Sequence, residues 1–196
     1  AGGHLAASLG VHWQEPFLRE WLSTENEAFR PNALVLCYAF LDYVFMLGQY
    51  EEAVNPQSPE QASALSRDLE MKLDLWKKSN LAFFGTPEPT REQLLARSPV
   101  YHVGPHTPPT FLWHTAQDDL VEARHSLRFA MELAKHGVPY ELHVFESGPH
   151  GLSLGDETSA AMPGHLNPHA ARWMELALGW LARRFGIGRK HGEESI

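Results

Sequence analysis

The feature that most constrains the fold is a set of three short strand-like segments with helical stretches around them. Residues 33–38 and Thr110–Thr115 are short apolar runs between turn-forming or polar residues, and Tyr140–Phe145 alternates between apolar and polar side chains. Continuous apolar runs of about four to eight residues are typical of strands buried on both faces, as in a parallel sheet. Strands that alternate with helices along the chain predict an α/β fold with a parallel sheet.

The helices are predicted from side-chain periodicity and from residues that favour helix ends. The first predicted helix opens at residue 2 or 3 and includes residues 4–9, and the others cover residues 62–79, 90–96, 121–136 and 168–185. Gly10 and Gly137 are predicted to end the first and the fourth helix, because glycine readily adopts the left-handed conformation that follows a helix. Thr90 with Gln93 three residues later predicts a capping box, and Asn167 is a predicted N-cap.

Length and composition predict a single compact, soluble domain. The chain has 196 residues, of which 43% are hydrophobic and 20% charged, and this is the composition of a globular protein. Residues 11–32 and 39–109 are predicted to contain loop-like or cap-like segments. Within them, 13–30 has at most one or two helical turns and 43–59 is irregular. The charged tail, residues 188–196, is predicted to fray.

Charge and hydropathy exclude two classes of partner. The chain has 24 Asp and Glu against 16 Lys and Arg, a formal net charge of -8, so no positive field attracts nucleic acid or an anionic membrane surface. Its longest apolar stretch, residues 33–47, is interrupted by Asp42 and is shorter than the roughly 20 residues of a membrane-spanning helix. The single cysteine, Cys37, cannot form an internal disulfide, so the cysteine count neither requires nor excludes an oxidising compartment. No signal peptide is visible.

Polar residues that can carry chemistry follow the second and third predicted strands. Asp118 and Asp119 come after Thr110–Thr115, and His150 comes after Tyr140–Phe145. In an open parallel sheet, ligands bind at the carboxyl ends of the strands, so we expect these side chains at one edge. A carboxylate and an imidazole in this order match the acid and the base of a nucleophilic triad whose histidine comes last. Either residue alone is more often a cap or an incidental loop residue, so the prediction depends on the pair.

The sequence predicts neither a metal site nor a bound cofactor. It contains 12 histidines, and His165 and His169 stand four residues apart, but Pro168 begins a predicted helix between them. There is no H-E-x-x-H motif, in which a carboxylate accompanies two metal-binding histidines, and no glycine-rich phosphate loop of the dinucleotide or P-loop type.

The first seven residues resemble part of a known catalytic turn. In the nucleophile elbow G-x-S-x-G, a serine lies on a sharp strand-to-helix turn, and glycines avoid a collision with the neighbouring backbone. Residues 1–7 resemble the elbow G-x-S-A-G-G-H-L-A-A of the α/β-hydrolase superfamily, in its acetyl-esterase-like branch of carboxylesterases. Residues 109–118 and 126–130 resemble the acid-bearing segment and its following helix, and 138–145 with 148–152 resemble the histidine-bearing segment. The resemblance implies the carboxyl-terminal part of an α/β-hydrolase parallel sheet, of about three strands flanked by helices.

The resemblance also implies a role for each residue of the site. Of the two aspartates it selects Asp118 as the triad acid, because the family places the acid four residues after the histidine of the strand end. His150 is then the base. The nucleophilic serine would be the residue immediately before Ala1, whose backbone N–H would donate to the oxyanion, with Gly2 and Gly3 as elbow glycines. The other oxyanion donors would come from an upstream loop of the HGGG type.

Other serine and histidine residues are predicted to be structural. Residues 151–155 read Gly-Leu-Ser-Leu-Gly and satisfy G-x-S-x-G, but an elbow needs a strand directly before it and a helix directly after it. Ser153 follows a loop, precedes a polar stretch and comes after His150 in the chain, so it is predicted to lie in a flexible loop. His4 is predicted to pack beneath the elbow, and His114 to pack or hydrogen-bond near the acid.

Together these observations predict a serine carboxylic-ester hydrolase that acts on short acyl esters, such as acetylated sugars, by a Ser-Asp-His acyl-enzyme mechanism. A small-molecule ester is therefore the predicted partner. The alternative within catalysis is a peptidase or a dienelactone-hydrolase-like enzyme, and the alternative outside it is an inert fragment or a partner-binding remnant. The chain alone is expected to be inactive, because the implied serine lies outside it. Residues 33–38 are expected to leave an unpaired apolar strand edge, which favours self-association.

Overall fold

The computed structural model describes residues 1–54 and 67–187 and contains a three-stranded parallel sheet. The strands are β1 (Leu34–Cys37), β2 (Thr110–Thr115) and β3 (Tyr140–Phe145), in the spatial order β1-β2-β3. Leu34 pairs with Thr110, and Thr110 pairs in turn with Tyr140. The predicted α/β class with a parallel sheet is therefore confirmed. All six residues of β2 are buried, as expected for the central strand of a sheet covered on both faces.

The helices lie before, between and after the strands. They are α1 (Gly2–His12), α2 (Pro16–Leu22), α3 (Tyr43–Val54), α4 (Arg67–Phe84), α5 (Arg91–Ala96), α6 (Arg124–Lys135), α7 (Pro168–Ala171) and α8 (Trp173–Phe185). Three short 3-10 helices cover Asn26–Phe29, Pro99–His102 and Pro163–His165. The segment 13–30 is thus more helical than predicted, because it contains both α2 and a 3-10 helix.

The chain forms two compact units. The first consists of Ala1–Phe40 with the described part of Val103–Ile196, and it contains the sheet; the second is Leu41–His102. Within the second unit, the Ser98 hydroxyl accepts a hydrogen bond from the backbone N–H of Tyr43 (2.8 Å) and donates to the carbonyl of Leu94 (2.7 Å). The division of the chain into one domain with cap-like segments at 11–32 and 39–109 stays a prediction.

Within the first unit, helices cover both faces of the sheet. On one face, Trp173 of α8 stacks on Trp113 of β2, with the ring centroids 5.2 Å apart. On the opposite face, Gly10 of α1 lies against Leu34, so close that a Cβ on this glycine would be 2.5 Å from Leu34 Cδ1. Burying this much aromatic and aliphatic surface is the main favourable contribution to the stability of the sheet.

Several helix boundaries differ from the predictions. Gly10 does not end α1, which continues to His12, because the glycine is needed for close approach to β1 rather than for a left-handed turn. The segment 43–59 was predicted to be irregular, but its first twelve residues form α3. The signal for α3 is Asp42, whose Oδ1 accepts a hydrogen bond from the backbone N–H of Phe45 (2.9 Å) as an N-cap does.

The remaining helix predictions are nearer to the structure. Thr90 and Gln93 form the predicted capping box, and Asn167 caps α7 by accepting a hydrogen bond from the N–H of Ala170. The helix predicted at 62–79 is described from Arg67 and extends to Phe84, while 62–66 lie outside the described residues, as does the tail 188–196. The helix predicted from 121 begins at Arg124, because Val121 belongs to the turn that follows β2.

The strand predicted at 33–38 forms one edge of the described sheet. Within residues 1–54 and 67–187, β1 pairs with β2 and with no other strand. Self-association through this edge stays a prediction.

Candidate active site

The two residues predicted to carry the chemistry are in direct contact at the carboxyl ends of β2 and β3. His150 Nδ1 lies 2.7 Å from Asp118 Oδ2. Asp118 is 3% exposed, and its other oxygen, Oδ1, accepts hydrogen bonds from the backbone N–H groups of Leu120 (3.1 Å) and Val121 (2.9 Å). Asp119 is exposed, so the geometry distinguishes the two neighbouring aspartates.

The environment of Asp118 keeps its carboxyl group ionised. Burial raises the pKa of Asp118, but hydrogen bonds from His114, His150 and the backbone N–H of Val121 together lower it more, so the net pKa lies below its usual range. An ionised carboxylate only accepts hydrogen bonds. The proton between the two side chains is therefore on Nδ1 of His150, which leaves Nε2 of this ring as a proton acceptor.

A hydrogen bond between the two strand ends helps to fix the loop that carries His150. The Thr115 hydroxyl, at the end of β2, donates to the carbonyl of Gly148 (2.7 Å). On the far side of the loop, the Asn167 amide donates to the carbonyl of Ser147 (2.7 Å). The His150 side chain is 27% exposed, whereas that of Asp118 is fully buried. The imidazole therefore joins a buried acid to an accessible surface.

Tyr38, at the end of β1, contacts the candidate base and was not identified from the sequence. Its ring meets His150 edge-on, with 5.1 Å between the centroids, and its hydroxyl accepts a hydrogen bond from the N–H of Ser153 (3.2 Å). Burial raises the pKa of Tyr38. The backbone of this residue has φ +37°, a region that non-glycine residues rarely adopt and that is enriched at functional sites. The signal available in the sequence was its position as the last residue of the strand predicted at 33–38, which in the structure ends at Cys37.

The amino-terminal residues and His150 line the same cavity. It has a volume of about 240 Å³ and is lined by Ala1, Gly2, Gly3, Ala6, Val35, Cys37, Tyr38, Ala39 and His150. Helix α1 begins at Gly2 and is preceded by Ala1, so the cavity contains the amino-terminal end of a helix, where partial positive charge favours anions. Gly3 is required there, since a Cβ would lie 2.6 Å from Ala39 Cβ, whereas a Cβ on Gly2 would contact nothing within 4 Å.

Ser153 does not lie on a turn that joins a strand directly to a helix, as the serine of a nucleophile elbow does. It occupies a turn shortly after His150, with φ +53°, and it is not among the residues that line the cavity. Its backbone groups bind Tyr38 and Trp173, because its N–H donates to the Tyr38 hydroxyl and its carbonyl accepts from Trp173 Nε1 (2.8 Å). These contacts position a loop and do not form a nucleophile elbow.

Two further histidines named in the sequence analysis, His4 and His169, have a hydrogen-bonding or a packing contact. His4 Nδ1 lies 3.0 Å from the carbonyl oxygen of Phe40, and the ring of His169 meets that of Phe145 edge-on. Over the described ranges, 1–54 and 67–187, no three His, Cys, Asp or Glu side chains are grouped as a metal ion requires. Among the helices of these ranges, none is both long and apolar enough to cross a bilayer.

The central strand supplies a further polar group behind Asp118. His114 of β2 is fully buried, and its Nε2 lies 3.3 Å from Asp118 Oδ2 and 2.6 Å from the carbonyl oxygen of Val121. Its Nδ1 lies 2.8 Å from the hydroxyl of Ser126 on α6. The sequence indicated that His114 would lie near the acid, but it contained no signal for Ser126.

Comparison with known proteins shows the family to which this chain belongs. The family model described as the prolyl oligopeptidase family, peptidase S9, matches residues 42–185. A sugar hydrolase from Lactococcus lactis is 31% identical with a TM-score of 0.61, over 95% of this chain and 56% of that one. An acetyl ester-xyloside bifunctional hydrolase from Caldicellulosiruptor lactoaceticus is 30% identical with a TM-score of 0.62, over 96% of this chain and 55% of that one.

A curated relative extends the comparison. Endo-1,4-beta-xylanase B from Butyrivibrio fibrisolvens is 26% identical over 162 residues, which are 80% of this chain and 20% of that protein. The chain thus spans a little over half the length of the two solved structures and a fifth of the xylanase. The resemblance to the α/β-hydrolases and to their acetyl-esterase-like branch is confirmed by these matches. The chain belongs to the prolyl oligopeptidase family, within the α/β-hydrolase superfamily of hydrolases and esterases.

Proposed function

We propose that this chain supplies the acid and the base of a serine carboxylic-ester hydrolase, with Asp118 as the acid and His150 as the base. The nucleophile in this proposal is a serine immediately before Ala1. The observation that carries the proposal is the 2.7 Å contact between His150 Nδ1 and Asp118 Oδ2, on a base that lines the same cavity as Ala1.

In the proposed mechanism, the Asp118–His150 pair transfers one proton in each half of the reaction. His150 Nε2 accepts the proton of the serine hydroxyl as the oxygen attacks the acyl carbonyl, and Asp118 stabilises the imidazolium that forms. When the tetrahedral intermediate collapses, the same proton passes to the leaving alcohol and an acyl-serine remains. Water then attacks the acyl group with His150 as the base, which releases the carboxylic acid and restores the serine.

Residues at the start of α1 would stabilise the oxyanion. Joined to the preceding serine, Ala1 has an amide N–H at the amino-terminal end of α1, and such donors act on charge that develops in the transition state. Gly2 and Gly3 would be the elbow glycines, and only Gly3 is crowded, against Ala39. The other oxyanion donors are assigned to a loop that precedes residue 1.

The names of the relatives support a short acyl ester on a sugar as the substrate class. One solved relative is described as an acetyl ester-xyloside bifunctional hydrolase and another as a sugar hydrolase. A peptidase is the second candidate, because the matching family model is described as the prolyl oligopeptidase family. The triad itself does not distinguish them, since the same three groups serve ester and amide hydrolysis.

The test uses the longer protein in which this sequence is preceded by its natural upstream residues. We expect Gly-x-Ser directly before Ala1, and we expect His150→Ala to lower kcat by at least about a thousandfold. His165→Ala is the matched control and should keep wild-type activity, because this half-buried histidine of the 3-10 helix Pro163–His165 does not line the cavity beside His150. Near-normal turnover by His150→Ala would refute the assignment.

A substrate panel separates the two candidate functions. Acetylated xylo-oligosaccharides and p-nitrophenyl acetate should be hydrolysed with a higher kcat/KM than p-nitrophenyl butyrate or a prolyl peptide p-nitroanilide. A preference for the peptide anilide would favour the peptidase instead.

The 196-residue chain alone tests the position of the nucleophile. It should neither hydrolyse p-nitrophenyl acetate above background nor react with a fluorophosphonate serine probe. Labelling of Ser153 by the probe would contradict the proposal, since it would place the nucleophile in the loop after His150.

A further inference from the structure

We propose that His114, held by Ser126, is a positioning residue that fixes Asp118 and its turn for contact with His150. This inference rests on the proposed function, because it assigns a supporting role to residues behind the proposed triad acid. The clamp is defined here as His114 of β2 and Ser126 of α6. Both side chains are fully buried.

The contacts of His114 determine which of its ring nitrogens carries the proton. Nε2 faces two acceptors, the carbonyl oxygen of Val121 at 2.6 Å and Asp118 Oδ2 at 3.3 Å. Because neither of these oxygens can donate, Nε2 must carry a hydrogen. In the neutral ring Nδ1 is then an acceptor, and the Ser126 hydroxyl donates a hydrogen bond to it, with 2.8 Å between Oγ and Nδ1. The two acceptors at Nε2 therefore fix the tautomer, and the Ser126 hydroxyl holds the opposite side of the ring through Nδ1.

The clamp holds the acid-bearing turn from behind. Within the turn, Asp118 Oδ1 accepts hydrogen bonds from the N–H groups of Leu120 and Val121, so the turn and the carboxylate fix one another. His114 joins the turn to β2 through the Val121 carbonyl, and it also approaches Oδ2, the oxygen that His150 uses. Without this donor, the buried Val121 carbonyl would lose its side-chain partner and the turn would be free to shift.

Burial distinguishes a clamp from ordinary core packing. An apolar side chain of similar volume would fill the site of His114 without the cost of burying polar groups. A series of buried polar side chains is stable only when each of them has its hydrogen-bond partners. Here the series runs from Ser126 through His114 to Asp118 and ends on His150. The two explanations predict opposite orders for two substitutions, because leucine keeps the apolar volume and glutamine keeps a donor near the position of Nε2.

Amide hydrogen exchange on the 196-residue chain provides the first test. We expect His114→Leu to accelerate exchange of the Leu120 and Val121 amides on the order of tenfold, as expected when one hydrogen bond to the turn is lost. His114→Gln should keep these amides within about threefold of wild type. If leucine protects the turn as well as histidine does and glutamine does not, His114 only fills the core and the proposal is overturned.

Serine substitutions provide a second test that does not depend on how well His114→Leu folds. Ser126→Ala removes the hydrogen bond that holds Nδ1 of the His114 ring in place, so it should accelerate exchange of the Val121 amide. Ser98→Ala is the matched control, because it removes a buried, doubly hydrogen-bonded hydroxyl within the second unit. If Ser126→Ala leaves the Val121 amide unchanged, or if Ser98→Ala accelerates it equally, the clamp is rejected.

Kinetics of the longer protein link the clamp to catalysis. His114→Leu should lower kcat by about tenfold to a hundredfold with KM within about twofold, because a misplacement of about 1 Å in a catalytic group costs rate and not ground-state binding. His114→Gln should recover most of kcat. A wild-type kcat in His114→Leu overturns the positioning role. An active His150→Ala enzyme would refute the proposed function instead, and the exchange experiments do not depend on that result.

Discussion

The two ends of the parallel sheet carry concave sites that differ in size and in chemistry. The cavity at the carboxyl ends, beside His150, has about 240 Å³, whereas a groove at the amino ends has about 580 Å³. The groove is lined by residues that precede each strand, Pro31, Asn32, Pro108, Pro109, Val138 and Pro139 among them. The larger concavity is therefore the one without the Asp118–His150 pair.

The polar groups of the two ends also differ in burial. At the carboxyl end, His114 and Ser126 are fully buried and Asp118 is nearly so, and they form a hydrogen-bonded series that reaches His150. At the amino end, Arg30 pairs with Glu27 at 2.9 Å while both side chains are more than half exposed. Burying polar groups costs free energy, whereas an exposed ion pair is nearly neutral. The comparison teaches that buried, connected polar groups mark a site better than cavity volume does.

The largest effect is expected from a substitution of Asp118, at the centre of the hydrogen-bonded series at the carboxyl ends of the strands. In the longer protein, Asp118→Asn should lower kcat by about ten-thousandfold, because an amide leaves the imidazole of His150 in the wrong tautomer. Asp119→Asn is the matched control, since this neighbouring residue is exposed and should keep its activity. Steady-state kinetics on p-nitrophenyl acetate provide the measurement. Equal losses in the two variants would remove the distinction between the aspartates.

An intermediate effect is expected in the pH dependence of stability. Burial, together with the neighbouring His114 and the positive charges of Arg128 and Arg124, lowers the pKa of His125 on α6 to about 3. The unfolded chain protonates this histidine below about pH 6.5 and the folded chain does not. The free energy of unfolding should therefore fall as pH falls, by roughly 2 kcal/mol between pH 7 and pH 5 from this group.

Substitution of His125 isolates this contribution. Urea unfolding of His125→Gln should show a flatter dependence on pH than wild type between pH 7 and pH 5. Asp118 does not confuse the measurement: its pKa is lowered in the folded protein, so the stability it contributes is lost only below about pH 4. Parallel slopes for the two proteins would show that His125 is not held neutral by the fold.

The smallest effect is expected at the amino end of the sheet. Arg184 lines the groove there and is exposed, with its guanidinium 6.0 Å from the ring centroid of Trp180. Arg184→Ala should change kcat and KM by less than about twofold, and the free energy of unfolding by at most about 1 kcal/mol, the value of an exposed cation–π contact. A tenfold fall in kcat would show that the groove takes part in catalysis, and it would contradict the difference between the two ends of the sheet.

The sheet was more predictable from the sequence than the helices of the second unit. Thr110–Thr115 was predicted from its continuous apolar run and Tyr140–Phe145 from its alternation, and both predictions match the strands at both ends. Helix α3 was missed because Gly48 and the acidic residues weaken its pattern, while its cap, Asp42, lies inside an apolar stretch. Local signals of this kind are weak when tertiary packing decides the outcome.

The residues of the candidate site also divide into those that the sequence predicted and those that it did not. Asp118 and His150 were predicted because a parallel sheet brings the carboxyl ends of its strands to one edge, which follows from strand order alone. Tyr38 and Ser126 were not predicted as parts of the site, because their contacts depend on the rotation of one element against another. Tyr38 reaches His150 across the sheet, and Ser126 reaches His114 from a helix.

The sequence by itself determined the strands, their parallel arrangement and the acid and imidazole that follow them, because these depend on composition and on short-range order. Only the tertiary structure decided that Asp118 is buried while Asp119 is exposed, and that His114 and Tyr38 contact the pair from two different strands. Burial and hydrogen bonding between distant residues set protonation states. They arise only when the chain has packed.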